Sequence, residues 1–135
     1  MKTSLKYWLS ATLIAAFAPN AMAGGIAVVM GAGAGAISKD QVANVYLGRS
    51  FDLKPIDLPE SNPAREEFYK KATERDPSQV KATWSRIVFS GKGQAPKEVG
   101  DAAAVKKAVA ADPKAIGYID KSAVDGSVKV VLTLD

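Results

Sequence analysis

Neither cysteine nor histidine occurs anywhere in the 135 residues. Without cysteine there is no disulfide to staple a small domain, so a hydrophobic core must hold the fold alone. The two absences together remove Cys–His and Ser–His nucleophile–base pairs, imidazole proton shuttles and nearly all zinc sites. Aromatic residues are scarce, at 7% of the chain. A long apolar run is also lacking. The stretch from Tyr7 to Ala18 is shorter than the ~20 residues that span a bilayer and is broken by small polar side chains.

That stretch has another reading. Lys2 and Lys6 precede it and Ala21-Met22-Ala23 follows it, which is the order of an export leader with a small-x-small cleavage site. Residues 1–23 are therefore expected to be a signal peptide, with cleavage before Gly24 and export to the periplasm. The full chain carries 18 basic and 14 acidic side chains, a formal +4. Lys2 and Lys6 belong to the leader and no acid does, so residues 24–135 carry 16 basic and 14 acidic groups, a net +2. No basic stripe of the kind nucleic acid requires is present. The 112 residues from Gly24 onward suit one domain with one core.

Residues 25–30 (G-I-A-V-V-M) form a continuous apolar run of strand length, expected to be covered on both faces as in a parallel α/β sheet. The G-A-G-A-G-A repeat at 31–36 satisfies a dinucleotide-type glycine pattern. The helix cap at Ser38 lies two residues beyond it and the chain is too short for two mononucleotide halves, so it reads as a linker. Ser38 and Gln41 have capping-box spacing, with Val42, Val45 and Tyr46 on one helical face and Gly48 as the stop.

A second strand is expected within Leu53–Leu58, at an edge or starting near Ile56 because Pro55 cannot donate to a ladder. Asn62-Pro63 opens a helix with Ala64, Phe68 and Ala72 inward, and with Glu66–Lys70 and Glu67–Lys71 paired on the wet side. Asp76-Pro77 opens a third helix with Val80, Trp84, Ile87 and Val88 inward. Residues 91–100 read as a loop, in which Lys92 is a solvated lysine lacking the context of a nucleotide loop. Asp101 caps a helix with Ala102, Val105 and Val109 inward. Strands follow at Ile116–Asp120 and Val128–Leu134, the latter alternating in and out. The sum is an α/β domain with a short mixed sheet flanked by helices.

Four segments in this order resemble phosphate-type periplasmic solute-binding proteins, the extracytoplasmic receptors of ABC importers. They are I-S-K-D-Q-V-A-N-V-Y-L-G at 37–48, P-I-D-L-P-E-S-N-P-A-R-E-E-F-Y-K at 55–70, the glycine loop at 91–93 and A-I-G-Y-I-D at 115–120. The resemblance runs from about Ile26 to Leu134 and matches one lobe, the second, of a type II periplasmic-binding-protein-like fold. It implies a non-enzymatic protein without cofactor or metal that binds phosphate or a similar oxyanion for an importer. Ser61 falls on the family serine that binds an anion oxygen, while Asn62 and Pro63 stand where Gly-Thr follows it. Asp57 stands in place of the family arginine.

The expected anion site is therefore Ser61, Asn62 and Arg65 at the start of the second helix, where unpaired amides and the helix dipole favour an oxyanion and a guanidinium can join them. The same residues also read as an ordinary cap, with Arg65 paired to Glu60 or Glu66. In that case the lobe is a structural or interaction module that recognises another exported or membrane protein, or a second copy of itself.

Overall fold

The computed structural model describes residues 24–135; the expected leader at 1–23 lies outside the described residues. Strand β1 (Ile26–Met30) is followed by helix α1 (Lys39–Tyr46), β2 (Lys54–Asp57), α2 (Pro63–Thr73) and α3 (Pro77–Phe89). The two-residue strand β3 (Lys97–Glu98), α4 (Ala102–Ala111), β4 (Ala115–Asp120), a 3-10 turn at Lys121–Ala123 and β5 (Lys129–Leu134) complete the chain. The strands form one sheet in the order β3-β2-β4-β1-β5. β2 runs parallel to β3 and β4, and β1 runs antiparallel to β4 and β5.

All five residues of β1 are buried, as its unbroken apolar run implies. The expected parallel pairing is not found, because both neighbours of β1 run antiparallel to it. Continuous apolarity reports coverage of both faces, not strand direction. Pro55 sits inside a strand with neighbours on both sides, yet costs no ladder bond. β3 pairs with β2 only from Ile56 onward, so no strand lies beside the proline on that side. The loop expected over 91–100 thus contains a strand, too short and too charged to carry a periodic signal.

In β5 the expected alternation fails. Val128, Val131 and Leu134 are buried and Val130 is exposed. The register slips between Val28 and Val29, whose partners are Leu132 and Val130, so Val131 is the extra residue of a bulge. One inserted residue turns the side chains before it to the other face.

Helix starts follow their caps. Ser38 and Gln41 exchange both capping-box bonds, at 3.1 and 2.9 Å. Asp101 Oδ1 accepts from the Ala104 N–H at 2.9 Å, and the Gln79 side chain accepts from the Asp76 N–H at 3.0 Å. Glu66–Lys70 (3.3 Å) and Glu67–Lys71 (2.7 Å) form as their spacing demands. In α3, Val80 and Trp84 are buried, whereas Val88 is 48% exposed and Phe89 95% exposed. The last turn of α3 runs past the body of the domain, so Val88 has the right periodicity and nothing to face.

The two sheet faces are covered differently. Gly117 in β4 faces α4, where an added Cβ would lie 2.5 Å from Val105 Cγ1. That residue lets a helix of alanines and valines settle close to the sheet. Tyr118 points to the opposite face, where α1 and α2 pack, and its ring stacks on Phe68 with centroids 4.0 Å apart. Tyr46 and Tyr69 flank the stacked pair edge-on. Most of the domain's few aromatics are thus gathered beneath β2 and β4.

Candidate functional site

At the C-terminal end of β2 the chain buries a carboxylate. Asp57 is 4% exposed. A charge in such a place needs compensating donors, and three parts of the chain supply them. β4 provides Tyr118, whose hydroxyl donates to Asp57 Oδ1. α2 provides Tyr69, whose hydroxyl donates to Oδ2 at 2.5 Å. The next residue's own backbone, the Leu58 N–H, donates to Oδ1 at 2.9 Å and shares its proton with the Tyr118 oxygen at 3.1 Å.

Arg65, one helical turn before Tyr69 on α2, places Nη2 4.0 Å from Asp57 Oδ2. Its Nη1 donates to the Leu58 carbonyl at 3.0 Å and to Glu98 Oε2 of β3 at 3.4 Å. The guanidinium also lies 5.7 Å from the centroid of the Tyr69 ring, and Nε is buried with no hydrogen-bond partner among the described residues. The alternative pairing of Arg65 with Glu60 or Glu66 is not observed. Glu60 lies beside Lys81 and Glu66 beside Lys70, because Arg65 falls on the buried stripe of α2 and Glu66 on the wet one.

Protonation follows from this packing. Burial, and then the Asp57 charge, hold the Tyr46, Tyr69 and Tyr118 phenols well above their usual range. Burial pulls the Arg65 guanidinium down, but Asp57, Tyr69, Tyr118 and Glu98 outweigh it and hold it above its ordinary value. Tyr46 puts its hydroxyl between the carbonyls of Ile56 (2.8 Å) and Ile116 (3.0 Å), tying β2 and β4 to α1. The cluster is a set of neutral phenols and one cation fixed around one carboxylate. Its chemistry is recognition of an anion, and the anion is part of the chain.

The helix start expected to bind an oxyanion lies beside this cluster. Ser61 is exposed, Asn62 is half-buried and Arg65 is buried. The Asn62 N–H donates to the Pro59 carbonyl (2.9 Å) and the Arg65 N–H to the Asn62 carbonyl (3.0 Å). Asn62 Oδ1 accepts from the Ala64 N–H at 3.0 Å, and Pro63 has no N–H. The donors not used within the described chain are the Ser61 hydroxyl and N–H and the Asn62 side-chain NH2. The structure therefore brings Ser61 and Asn62 together at the surface and turns the Arg65 side chain inward, away from them.

Tyr69, Tyr118 and Glu98 belong to the cluster and were not singled out by sequence. Two signals existed. Tyr69 is at i+4 from Arg65, and alternation puts Tyr118 opposite Gly117. The parallel pairing of β2 with β4 sets Tyr118 beside Asp57, and no local pattern announces it.

No family model and no curated protein matches the sequence. Solved structures do resemble it in fold. One is an ABC-type phosphate transport receptor from Vibrio cholerae, at 21% identity and a TM-score of 0.62, covering 79% of this chain and 45% of the receptor. Another is a putative phosphate ABC transporter substrate-binding protein with bound phosphate from Clostridium perfringens, at 18% identity and 0.63, covering 79% of this chain and 44% of the other. This chain thus spans less than half the length of the receptors it matches, and its mixed five-stranded sheet flanked by helices has the fold of a periplasmic-binding-protein-like α/β domain.

Proposed function

We propose that this protein is an exported, non-enzymatic recognition domain of the solute-binding type, in which the place suited to an oxyanion is filled by the chain's own Asp57. Its partner is another protein, either a membrane importer or a second exported chain. The observation that carries this reading is the donor set on Asp57: two tyrosine hydroxyls, one backbone N–H and a nearby guanidinium, all spent on an internal carboxylate. An incoming phosphate would meet Asp57 and Glu98 as like charges and would have to displace bonds already made in a dry site, where unpairing is costly. The receptor-type fold and the lack of cysteine and histidine support binding over catalysis. The leader pattern in residues 1–23 supports the periplasm as the place of work.

A second reading is a shallow oxyanion site at Ser61 and Asn62, with Arg65 adding positive potential from beneath. It is favoured by the donors those two residues leave unused and by the phosphate bound in one of the similar receptors. Titration calorimetry of the purified protein with phosphate and with sulfate separates the two. The first reading predicts no saturable heat at millimolar anion. Saturable heat that disappears in Ser61→Ala and Asn62→Ala establishes the second and removes the first.

A further inference from the structure

A cleft of about 640 Å³ opens at the other end of the sheet from Asp57, and nothing described above uses it. It lies where β2 and β4 begin, between the end of α4, the α1–β2 connection, α3 and the loop leading into β3. The volume falls within the ~300–1,000 Å³ typical of small-molecule sites.

The cleft is built by specific close approaches. Gly48, at φ +74°, leaves no room for a side chain, since a Cβ there would sit 2.2 Å from Ile87 Cδ1 and 3.3 Å from the Trp84 ring. α3 can therefore lie against the end of α1. Trp84 is fixed in this position by donating Nε1–H to the Tyr46 carbonyl at 2.7 Å. Phe51 packs edge-on to Trp84, with centroids 6.5 Å apart. Gly93 lets the 91–96 loop lie on the Phe51 ring, where a Cβ would come within 2.5 Å. The floor is then buried and apolar (Val45, Ile56, Trp84, Ala115), and the small side chains of α4 keep the far wall open. Phe51, 56% exposed, stands at the mouth.

The charge at the rim is one-sided. Lys54 and Lys97 are both exposed and both line the cleft, against a single acid, Asp112. Asp112 is already engaged, with Oδ2 on the Lys54 amine at 3.2 Å and Oδ1 accepting from the Lys114 N–H at 2.9 Å. Lys97 has no ion-pair partner among the described residues. Ser50 and Gln94 add neutral polar groups to the lining, so a buried apolar floor below one lysine without an ion-pair partner among the described residues suits an apolar body ending in one negative charge.

We propose that this cleft binds a small anionic amphiphile, a carboxylate on a medium-length alkyl chain, with the chain over Trp84 and the carboxylate at Lys97. The cleft shares no lining residue with the donor set around Asp57, so its test is separate from that of the function proposed above.

Trp84 is the only tryptophan among the described residues and reports occupancy directly. Decanoate is titrated into the purified protein while tryptophan emission is followed, with decanol and decylammonium as head-group controls. Saturable change with decanoate is expected, with decanol at least fivefold weaker and decylammonium weaker still. Lys97→Glu is expected to weaken decanoate about tenfold and to leave decanol unchanged. Ala108→Phe, on the α4 wall, is expected to abolish both responses while circular dichroism and phosphate titration stay as in the parent. Should Ala108→Phe fold poorly, Lys97→Glu at the exposed rim still decides the matter. No saturable response to decanoate, equal affinity for all three head groups, or indifference to Lys97→Glu overturns the proposal.

Discussion

Replacing Asp57 with alanine is expected to cost about 3–5 kcal/mol of folding stability, the range for breaking one side of a buried ion pair. The variant leaves the Tyr69 and Tyr118 hydroxyls without their acceptor and Arg65 without its nearest buried counter-charge. The reverse change is expected to be milder. In Arg65→Met the Asp57 carboxylate keeps three hydrogen bonds, from Tyr69, Tyr118 and Leu58, while the 4.0 Å separation marks the guanidinium as its looser partner. A loss of roughly 1.5–3 kcal/mol is expected, the worth of a hydrogen-bonded charged group. The double variant should lose less than the two single losses together, since residues in one network couple by about 0.5–3 kcal/mol. Urea unfolding checks all three, provided the slope against denaturant is unchanged. Equal losses for Asp57→Ala and Arg65→Met, or simple addition in the double variant, would show that the phenols do not hold the carboxylate.

The second large effect lies at alkaline pH. In the folded state three phenols are pushed above the ordinary tyrosine value of about 10, first by burial and then by the Asp57 charge. In the unfolded chain they ionise near that value. Above it the unfolded state sheds protons that the folded state retains, so it binds fewer protons and stability falls as pH rises. The contribution is fully present below the unfolded value and drains away above it, by about 1.4 kcal/mol per pH unit for each phenol. Three together give roughly 4 kcal/mol per pH unit, enough to overrun an ordinary stability of 5–15 kcal/mol within a few units. Spectrophotometric titration alongside circular dichroism tests this. Phenolate absorbance from the buried tyrosines should appear only as the native spectrum is lost. Phenolate formation in a protein that stays folded would mean the cluster is open to water.

The parts of this architecture that were legible in the sequence are those governed by neighbours along the chain. The Ser38, Asn62 and Asp101 caps, the Glu–Lys pairs of α2 and the buried stripe of α3 as far as Trp84 all follow from spacing. The failures have one cause, which is that contacts between elements distant in the chain are not written locally. Val131 is buried because a bulge shifts β5 against β1, and Val88 is exposed because α3 outruns the body it packs on. β3 exists because β2 offers it an edge at Ile56 and Asp57.

The candidate site divides along the same line. Asp57 and Arg65 were each visible in the sequence, as a carboxylate closing a strand and an arginine in a first helical turn. Their meeting depends on strand pairing and on which stripe of α2 turns inward. Asn62 does cap its helix, so much of the donor capacity expected for a ligand is consumed locally. Ser61 remains exposed beside it, and its role rests on titration.

Asp57 acts as an anion held within the protein's own donor set, and chemical rescue puts that role to the test. Asp57→Ala leaves a space the size and charge of formate, bordered by Tyr69, Tyr118, the Leu58 N–H and Arg65. Anything that binds only the folded state raises its stability with concentration. The melting temperature of Asp57→Ala is therefore predicted to climb with added formate, while the parent protein responds to neither formate nor phosphate. A parent protein whose melting temperature rises with phosphate, beside an Asp57→Ala variant indifferent to formate, would mean that these donors do not form an anion site filled by Asp57.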